Sequence, residues 1–218
     1  NYLEVAGWLA DLSSEGKIRC LGTTNFDTRH LEDLVEAGIP VVTNQAQYSL
    51  LDRRAGGAMT ELCQKSGMRL LCYGVLAGGF LSELYLGAAE PHPPLENRSL
   101  TKYRLIIDEF GGWARFQELL QTLNVVAKRH GTTIAAAAAR WVLERKPVAA
   151  VMVGVRSREH IEDNRSIFDL HLDEEDLARL DEILTRSKGP TGDPFELERK
   201  PGGPHSAIMW TDLNRKRN

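Results

Sequence analysis

The sequence predicts an α/β protein built from parallel βα units, and three observations support this prediction. Four short apolar runs suited to buried strands alternate with segments in which apolar residues recur at helical spacing. The connections are mostly short, and capping residues or glycines stand at several boundaries. Each apolar run ends in small or polar residues. Strands that alternate with helices in this way are typical of a parallel sheet.

The first half of the chain contains three of the strands. A helix over residues 1–16 opens the chain, and no N-cap residue is expected before it. Asp27 or Thr28 can cap the next helix, which Gly38 stops. A weaker helix covers residues 59–67. The predicted strands are "KIRCLGTT" (17–24), "IPVVTNQAQ" (39–47) and "MRLLCYGVL" (68–76).

The second half begins with residues 77–112, whose glycines and prolines predict a long excursion loop. We expect one domain over residues 1–188 and an irregular tail over 189–218. Between the loop and the tail, the sequence predicts a helix from about 115 to 130, a helix capped by Thr132, a fourth strand over 149–155, a helix capped by Ser157, and a last helix from Asp173.

Composition limits the classes of function. The 218 residues carry a net charge of −3, which argues against an electrostatic nucleic-acid surface. With 42% hydrophobic and 26% charged residues and no apolar run of membrane-spanning length, the chain is expected to be soluble. Its three cysteines lack CxxC spacing, which indicates free thiols in the cytoplasm or another reducing compartment. A removed targeting segment remains open.

The polar ends of the strands indicate a ligand site, because ligands bind outside the carboxyl ends of parallel strands. Asn25 and Gln45 could together hold a planar carboxamide such as nicotinamide. Tyr73 offers an aromatic face to a flat ring. Residues 76–79 expose backbone amides suited to a pyrophosphate, and residues 154–157 precede a helix whose N-terminus can attract a phosphate.

Each of these residues also has a purely structural interpretation. Asn25 could close a turn, Gln45 could bond to the sheet backbone, and Tyr73 could be a core aromatic residue. The glycines could serve turns only, while Arg156 and Ser157 could form a solvated helix cap. His160, Asp163 and Asn164 would then be an exposed helix face. The functional interpretation rests on convergence, since separate strands supply matching parts at one place.

Four motifs, in order along the chain, resemble those of the aldo-keto reductases. They are "GKIRCLGTTNF", "VVTNQAQYSLLDRR", "LLCYGVLAGGFL" and "VMVGVRSREHIEDN". The resemblance extends from Leu3 to about Leu184. It implies the C-terminal half of a (β/α)8 barrel, with four strands present. It also implies an enzyme that uses NADPH, or less often NADH, to reduce aldehydes and ketones.

The resemblance assigns roles in binding NADP(H). Thr24, Asn25 and Gln45 match the residues that hold the nicotinamide carboxamide, and Tyr73 matches the aromatic residue under the nicotinamide ring. Gly74, Leu76 and Gly78 match the segment around the pyrophosphate. The segment around the adenosine and its 2′-phosphate is matched by Gly154, Val155, Arg156, Ser157, His160, Asp163 and Asn164.

Departures from the family pattern accompany this match. The family often has Ser-Asn where this chain has Thr24-Asn25, and commonly Ser-Pro where this chain has Gly74-Val75. One branch of the family has Lys-Ser where this chain has Gly154-Val155.

The family's catalytic Tyr, Lys, Asp and His come from the first four βα units, which have no counterpart here. We therefore assign no catalytic residue, and the singly placed histidines predict no metal site. The sequence predicts the cofactor-binding half of an NADP(H)-dependent carbonyl reductase, active only when a precursor or a partner chain supplies the missing half. The alternatives are a catalytically inactive structural or interaction subunit and a cofactor-binding regulatory module.

Overall fold

Four parallel strands in the order β1-β2-β3-β4 form the centre of the molecule. We describe residues 1–155 and 157–209 from a computed structural model of the chain. The predicted α/β fold of parallel βα units is confirmed. The strands are β1 (Leu21–Thr24), β2 (Val41–Gln47), β3 (Arg69–Tyr73) and β4 (Val148–Val151).

The helices cover one face of this sheet, and the order of elements follows the predicted rhythm. Three short 3-10 turns lie at Arg54–Gly56, Ala77–Gly79 and Glu83–Tyr85. The helices are α1 (Tyr2–Ser14), α2 (Thr28–Glu36), α3 (Ala58–Ser66), α4 (Arg98–Phe110), α5 (Gly112–Arg129), α6 (Ile134–Leu143), α7 (Glu159–Asp169), α8 (Glu174–Arg186), α9 (Glu196–Arg199) and α10 (Pro204–Ala207).

Local capping explains several of the boundaries. The Asp27 carboxylate accepts a hydrogen bond from the backbone N–H of His30 at 2.9 Å and so begins α2. Gly67 ends α3 with a positive φ of 77°, which glycine adopts without the steric cost that a Cβ would bring.

Several details of the sequence prediction were wrong. Asn1 caps α1, accepting from the N–H of Leu3 at 3.2 Å. Thr133, not Thr132, caps α6, and Ser157 makes no capping bond to α7. The expected loop over 77–112 contains the 13-residue helix α4.

The two faces of the sheet differ in burial. Ala46, Leu70 and Cys72 point toward the helices and are fully buried in the core. On the opposite face Thr24 and Arg69 are exposed. Helix α1 likewise buries no residue, and its Trp8 is 59% exposed. One face of the sheet and one flanking helix therefore lie open.

No helix among residues 1–155 and 157–209 is long and apolar enough to cross a membrane.

Candidate cofactor site at the strand ends

Two predicted carboxamide-binding residues share one face of the sheet. Thr24 of β1 and Gln45 of β2 are Cα partners in the parallel register, so their side chains point the same way. Asn25 follows directly, and its backbone N–H donates to the carbonyl oxygen of Gln45 at 2.9 Å. Asn25 has φ = 60°, a left-handed conformation that Asn tolerates better than most residues. The sheet thus brings Thr24, Asn25 and Gln45 together.

Tyr73 is joined to this group by a hydrogen bond. Its phenol donates to Oδ1 of Asn25 at 2.9 Å, across the intervening strand β2. Burial raises the pKa of Tyr73, so the phenol remains a protonated donor at neutral pH. Within the described part of the chain, the side-chain NH2 of Asn25 and the amide of Gln45 make no hydrogen bonds. The NH2 group of Asn25 and the complete side-chain amide of Gln45 therefore remain available to a ligand.

Asn44 explains why the second strand ends in two amides with different roles. Its Oδ1 accepts from the hydroxyl of Thr23 at 2.9 Å, and its Nδ2 donates to the carbonyl oxygen of Phe26 at 3.1 Å. Asn44 is fully buried on the helix side of the sheet. Because successive strand residues point to opposite faces, Asn44 ties β1 to β2 while Gln45 faces the open side.

A cavity of about 590 Å³ lies beside these strand ends. It is lined by most of the residues predicted to hold the pyrophosphate and adenosine. Val155 and Ser157 do not line it, and Arg156 lies outside the described residues. The predicted residues that do line it are Gly74, Leu76, Gly78, Gly154, His160, Asp163 and Asn164.

Local bonds shape the far wall of this cavity. The Asn164 side chain donates from Nδ2 to the carbonyl oxygen of Gly154 at 3.3 Å. The backbone N–H of Ser157 donates to Nδ1 of His160 at 3.2 Å, which assigns that nitrogen as an acceptor. These bonds connect the end of β4 to the first turns of α7.

Gly74 and Gly78, which line the cavity on the side of β3, are glycines for a steric reason. Gly74 and Gly78 have positive φ values of 69° and 68°. A Cβ on Gly74 would lie 2.3 Å from the phenol oxygen of Tyr103, and one on Gly78 would lie 2.8 Å from its Cδ2. Close packing of α4 against this wall therefore requires glycine at both positions, whether or not a phosphate binds there.

Helix α4 brings a cation that no pattern in the sequence indicated. The Nζ atom of Lys102 lies 5.4 Å from the ring centroids of both Tyr73 and Tyr103. Burial lowers the pKa of Lys102, although nearby carboxylates oppose this effect. The signal for α4 was present in the apolar spacing of its buried residues, which are Tyr103, Ile106, Ile107 and Phe110.

A buried ionic cluster lies behind Tyr73, and no pattern in the sequence indicated it. Arg54 donates to both carboxylate oxygens of Asp52, at 2.9 and 2.7 Å, and to both of Glu198, at 2.9 and 2.8 Å. Asp52 also accepts from Nε2 of Gln47 at 2.7 Å, and Gln47 is the Cα partner of Tyr73. Burial alone would lower the pKa of Arg54, but its bonds to the two carboxylates outweigh burial and raise it, so this guanidinium stays charged.

These features define a class of protein: a parallel α/β protein in which the polar ends of the strands lie together at one edge of the sheet. The sequence of residues 1–185 matches the aldo/keto reductase family, and the chain belongs to that family. The predicted resemblance is thereby confirmed.

Individual relatives agree with this assignment. The chain is 34% identical over 136 residues to flagellar radial spoke protein 5 of Chlamydomonas reinhardtii, covering 61% of this chain and 26% of that protein. It is 24% identical over 187 residues to the NADH-specific methylglyoxal reductase of Escherichia coli K12, covering 83% and 53%. The glycerol dehydrogenase structure from Gluconobacter oxydans superposes with a TM-score of 0.71 at 26% identity, covering 87% and 56%.

The chain spans about half the length of most of these relatives. Its four strands therefore correspond to part of an aldo-keto reductase barrel. Aldo-keto reductases use nicotinamide cofactors and typically act on carbonyl compounds. For this chain, the choice between NADPH and NADH and the source of the remaining strands belong to the proposal that follows.

Proposed function

We propose that this chain is the cofactor-binding half of an NADP(H)-dependent oxidoreductase that reduces aldehydes or ketones, or oxidises the corresponding alcohols. The observation that carries the proposal is that the NH2 group of Asn25 and the whole side-chain amide of Gln45 remain unused beside Tyr73. Oxidoreductase membership follows from the family, while the ligand of this particular site is our inference.

The donor set fits the carboxamide of a nicotinamide. The free NH2 of Asn25 can donate to the carboxamide oxygen, because its Oδ1 is already engaged by Tyr73. The side-chain oxygen of Gln45 can accept from the carboxamide NH2, and its position beside Thr24 fixes the direction of approach. The side chains of Asn25 and Gln45 can thus satisfy both groups of the carboxamide.

The neighbouring cavity fits the rest of the cofactor. The ring of Tyr73 offers a face for the nicotinamide, and the cavity of about 590 Å³ that begins at Gly74 can take the pyrophosphate and adenosine. When bound, the reduced nicotinamide supplies a hydride to a carbonyl carbon. The chain's own residues hold and orient the ring; none of them is assigned the proton transfer to the carbonyl oxygen.

Catalysis therefore depends on units that this chain does not contain. The family uses a Tyr as the acid, tuned by a Lys and an Asp, and these come from its first four βα units. We propose that the same precursor or a partner chain supplies them. The open sheet face that carries Thr24 and Arg69 and the exposed Trp8 of α1 are consistent with coverage by further βα units.

The cofactor assignment is tested by measuring how tightly the native protein binds NADPH, with cofactor fluorescence as the readout. We expect Gln45→Ala to weaken binding about three- to tenfold, since one or two hydrogen bonds worth about 0.5–1.5 kcal/mol each are lost. Gln121→Ala on the exposed face of α5 is the matched control and should leave affinity unchanged. Equal affinity in the Gln45 and Gln121 variants would refute the assignment.

The dependence on a second half is tested with the purified 218-residue chain. NADPH oxidation with a panel of aldehydes and ketones should stay at background, because no assigned residue can protonate the carbonyl oxygen. Turnover should appear when the complete barrel is present. Activity of the isolated chain would contradict the proposal and require an acid within it, for which Lys102 would be the first candidate.

The second candidate function is a catalytically inactive structural or interaction subunit. The observation that favours it is the 34% identity to a protein named as a flagellar radial spoke component. This candidate predicts that the complete native protein neither binds NADPH nor turns over carbonyl substrates. The two experiments above therefore distinguish it from the reductase.

A further inference from the structure

The C-terminal segment 190–207 reaches the carboxyl ends of β1 and β2 through three charged side chains. Asp193, Glu198 and Arg199 contact residues that are distant in sequence and close to the candidate cofactor site. The glycines and prolines of this segment predict an irregular tail, and no motif in it indicates a role. Its contacts are specific enough to support one.

Glu198 anchors the segment in the interior. It is 4% exposed and forms a bidentate ion pair with Arg54, which is itself paired with Asp52. A buried, fully paired cluster of this kind fixes geometry, because removing one partner leaves an uncompensated charge. The residue that follows Glu198 is therefore held at a defined place.

Asp193 makes a second attachment at the start of α2. One of its carboxylate oxygens accepts from the backbone N–H of Thr28 at 2.7 Å, and the other accepts from the Thr28 hydroxyl. The first amides of a helix have no partner within the helix, so this carboxylate satisfies one of them. The segment is thus tied to α2 as well as to the interior cluster.

Arg199 makes the third contact, and it acts on the candidate site itself. Its Nη2 atom donates to the carbonyl oxygen of Asn25 at 2.8 Å, while Nη1 pairs with the carboxylate of Asp27. Its guanidinium also lies 5.5 Å from the ring centroid of Phe195. The ion pair with Asp27 and the ring of Phe195 therefore orient the guanidinium that donates to Asn25.

Asn25 is consequently fixed from three directions. Its N–H bonds to Gln45, its Oδ1 to Tyr73 and its carbonyl oxygen to Arg199. The left-handed conformation of Asn25 is strained for a residue other than glycine and persists only where surrounding contacts determine it. Of the three contacts, the one from Arg199 comes from outside the strands.

We propose that Arg199 is a positioning residue for the nicotinamide end of the cofactor: it holds the backbone of Asn25 so that the free side-chain NH2 faces the carboxamide. This inference rests on the proposed function, because it requires a nicotinamide at Asn25. It adds the C-terminal segment to the cofactor site without placing Arg199 in contact with the cofactor.

The positioning role of Arg199 predicts that its loss affects some ligands and not others. Loss of Arg199 should weaken ligands that contain nicotinamide and spare those that occupy only the cavity between Gly78 and Asn164. NADPH and 2′-phospho-ADP-ribose form the required pair, because the second lacks the nicotinamide but keeps the pyrophosphate and adenosine. A residue with a merely structural role would alter both affinities together.

The experiment measures dissociation constants of both ligands for the native protein and three variants. Arg199→Ala should raise the constant for NADPH about three- to tenfold and leave that for 2′-phospho-ADP-ribose unchanged. Arg199→Lys, which keeps one charged donor, should recover part of the NADPH affinity. Lys200→Ala, at the neighbouring exposed residue, is the control and should change neither constant.

Each outcome decides between the claims. Equal weakening of both ligands by Arg199→Ala, or no weakening of either, would overturn the positioning role while leaving the proposed function intact. Failure of the native protein to bind either ligand would overturn the proposed function, and the inference with it. Because Arg199 is exposed, its replacement should not prevent folding, which an unchanged melting temperature checks.

Discussion

The phenol of Tyr73 donates a hydrogen bond to Oδ1 of Asn25 at 2.9 Å, linking the ends of β3 and β1 across β2. This bond settles which end of the Asn25 amide is engaged by the protein. The engaged oxygen leaves the NH2 group as the part that can meet a ligand. The proposed recognition of a carboxamide therefore depends on Tyr73 in two ways, through its ring and through its hydroxyl.

Tyr73→Phe separates these two contributions. The variant keeps the ring face but loses the bond to Asn25, so we expect NADPH affinity to fall by less than about tenfold, the value of one ordinary hydrogen bond. Tyr73→Ala removes both and should cost more. Tyr85→Phe is the control, since it removes a phenol outside the site. Should Tyr73→Phe and Tyr73→Ala bind NADPH equally, the ring contributes nothing.

Arg156 is predicted to determine the preference for NADPH over NADH. The resemblance places it beside the adenosine 2′-phosphate, to which a guanidinium can donate two charge-assisted hydrogen bonds. NADH lacks this phosphate and cannot accept them. Arg156 lies outside the described residues, so this prediction depends on its position in the sequence alone. One relative is named an NADH-specific reductase, so the family does not decide the preference.

The measurement is the ratio of the dissociation constants for NADH and NADPH. Arg156→Ala should reduce this ratio about ten- to a hundredfold, corresponding to roughly 1.5–3 kcal/mol for bonds to a charged group. Arg179→Ala, on the distant helix α8, should leave it unchanged. A native protein that binds both cofactors equally would remove any role for Arg156 in this choice.

Gly74 is predicted to be required by the packing of α4. Gly74→Ala introduces a Cβ 2.3 Å from the Tyr103 phenol and forces alanine into a left-handed conformation. The conformation alone costs about 1–2 kcal/mol, and the clash should add to it. The free energy of unfolding in urea, measured for each variant, reports both costs together.

Gly38→Ala provides the control for the backbone cost. Gly38 has a similar positive φ of 71°, but an added Cβ would meet nothing within 4 Å. Gly74→Ala should therefore be more destabilising than Gly38→Ala, and adding Tyr103→Phe should recover part of the difference. Equal destabilisation by the two alanines would show that α4 does not constrain Gly74.

Much of the fold could be predicted because it depends on local signals. Strand alternation and shared register place Thr24 and Gln45 on one face, and the Asp27 cap can be read from the sequence. Helix α4 was missed because the glycines and prolines around it hid the spacing of its apolar residues. Arg54 and Glu198 form an ion pair although they lie 144 residues apart in the sequence, so no local sequence signal indicates this pair. Contacts of that kind depend on the tertiary fold.

The last prediction concerns Glu198 and acid stability. Burial alone would raise the pKa of this carboxyl group, but its bonds and charge interaction with Arg54 outweigh burial and lower it. A carboxylate whose pKa is lower in the folded state stabilises the protein above its unfolded pKa of about 4.3. That contribution is lost as the pH falls through the folded-state value. Glu198→Gln removes the titrating group while keeping the shape of the side chain.

We therefore expect Glu198→Gln to be less stable than the native protein at pH 7, because it leaves part of the Arg54 charge uncompensated. The difference between the two proteins should shrink as the pH falls below about 4.3, because the unfolded chain then binds a proton at Glu198 while the folded carboxylate, whose pKa is lower, still resists protonation. Urea unfolding from pH 7 to pH 3 measures this difference. Glu175→Gln, at an exposed ion pair on α8, is the control and should give a small difference at every pH. A pH-independent difference for Glu198→Gln would show that its carboxyl group has the same pKa folded and unfolded, and that the buried cluster does not hold it ionised.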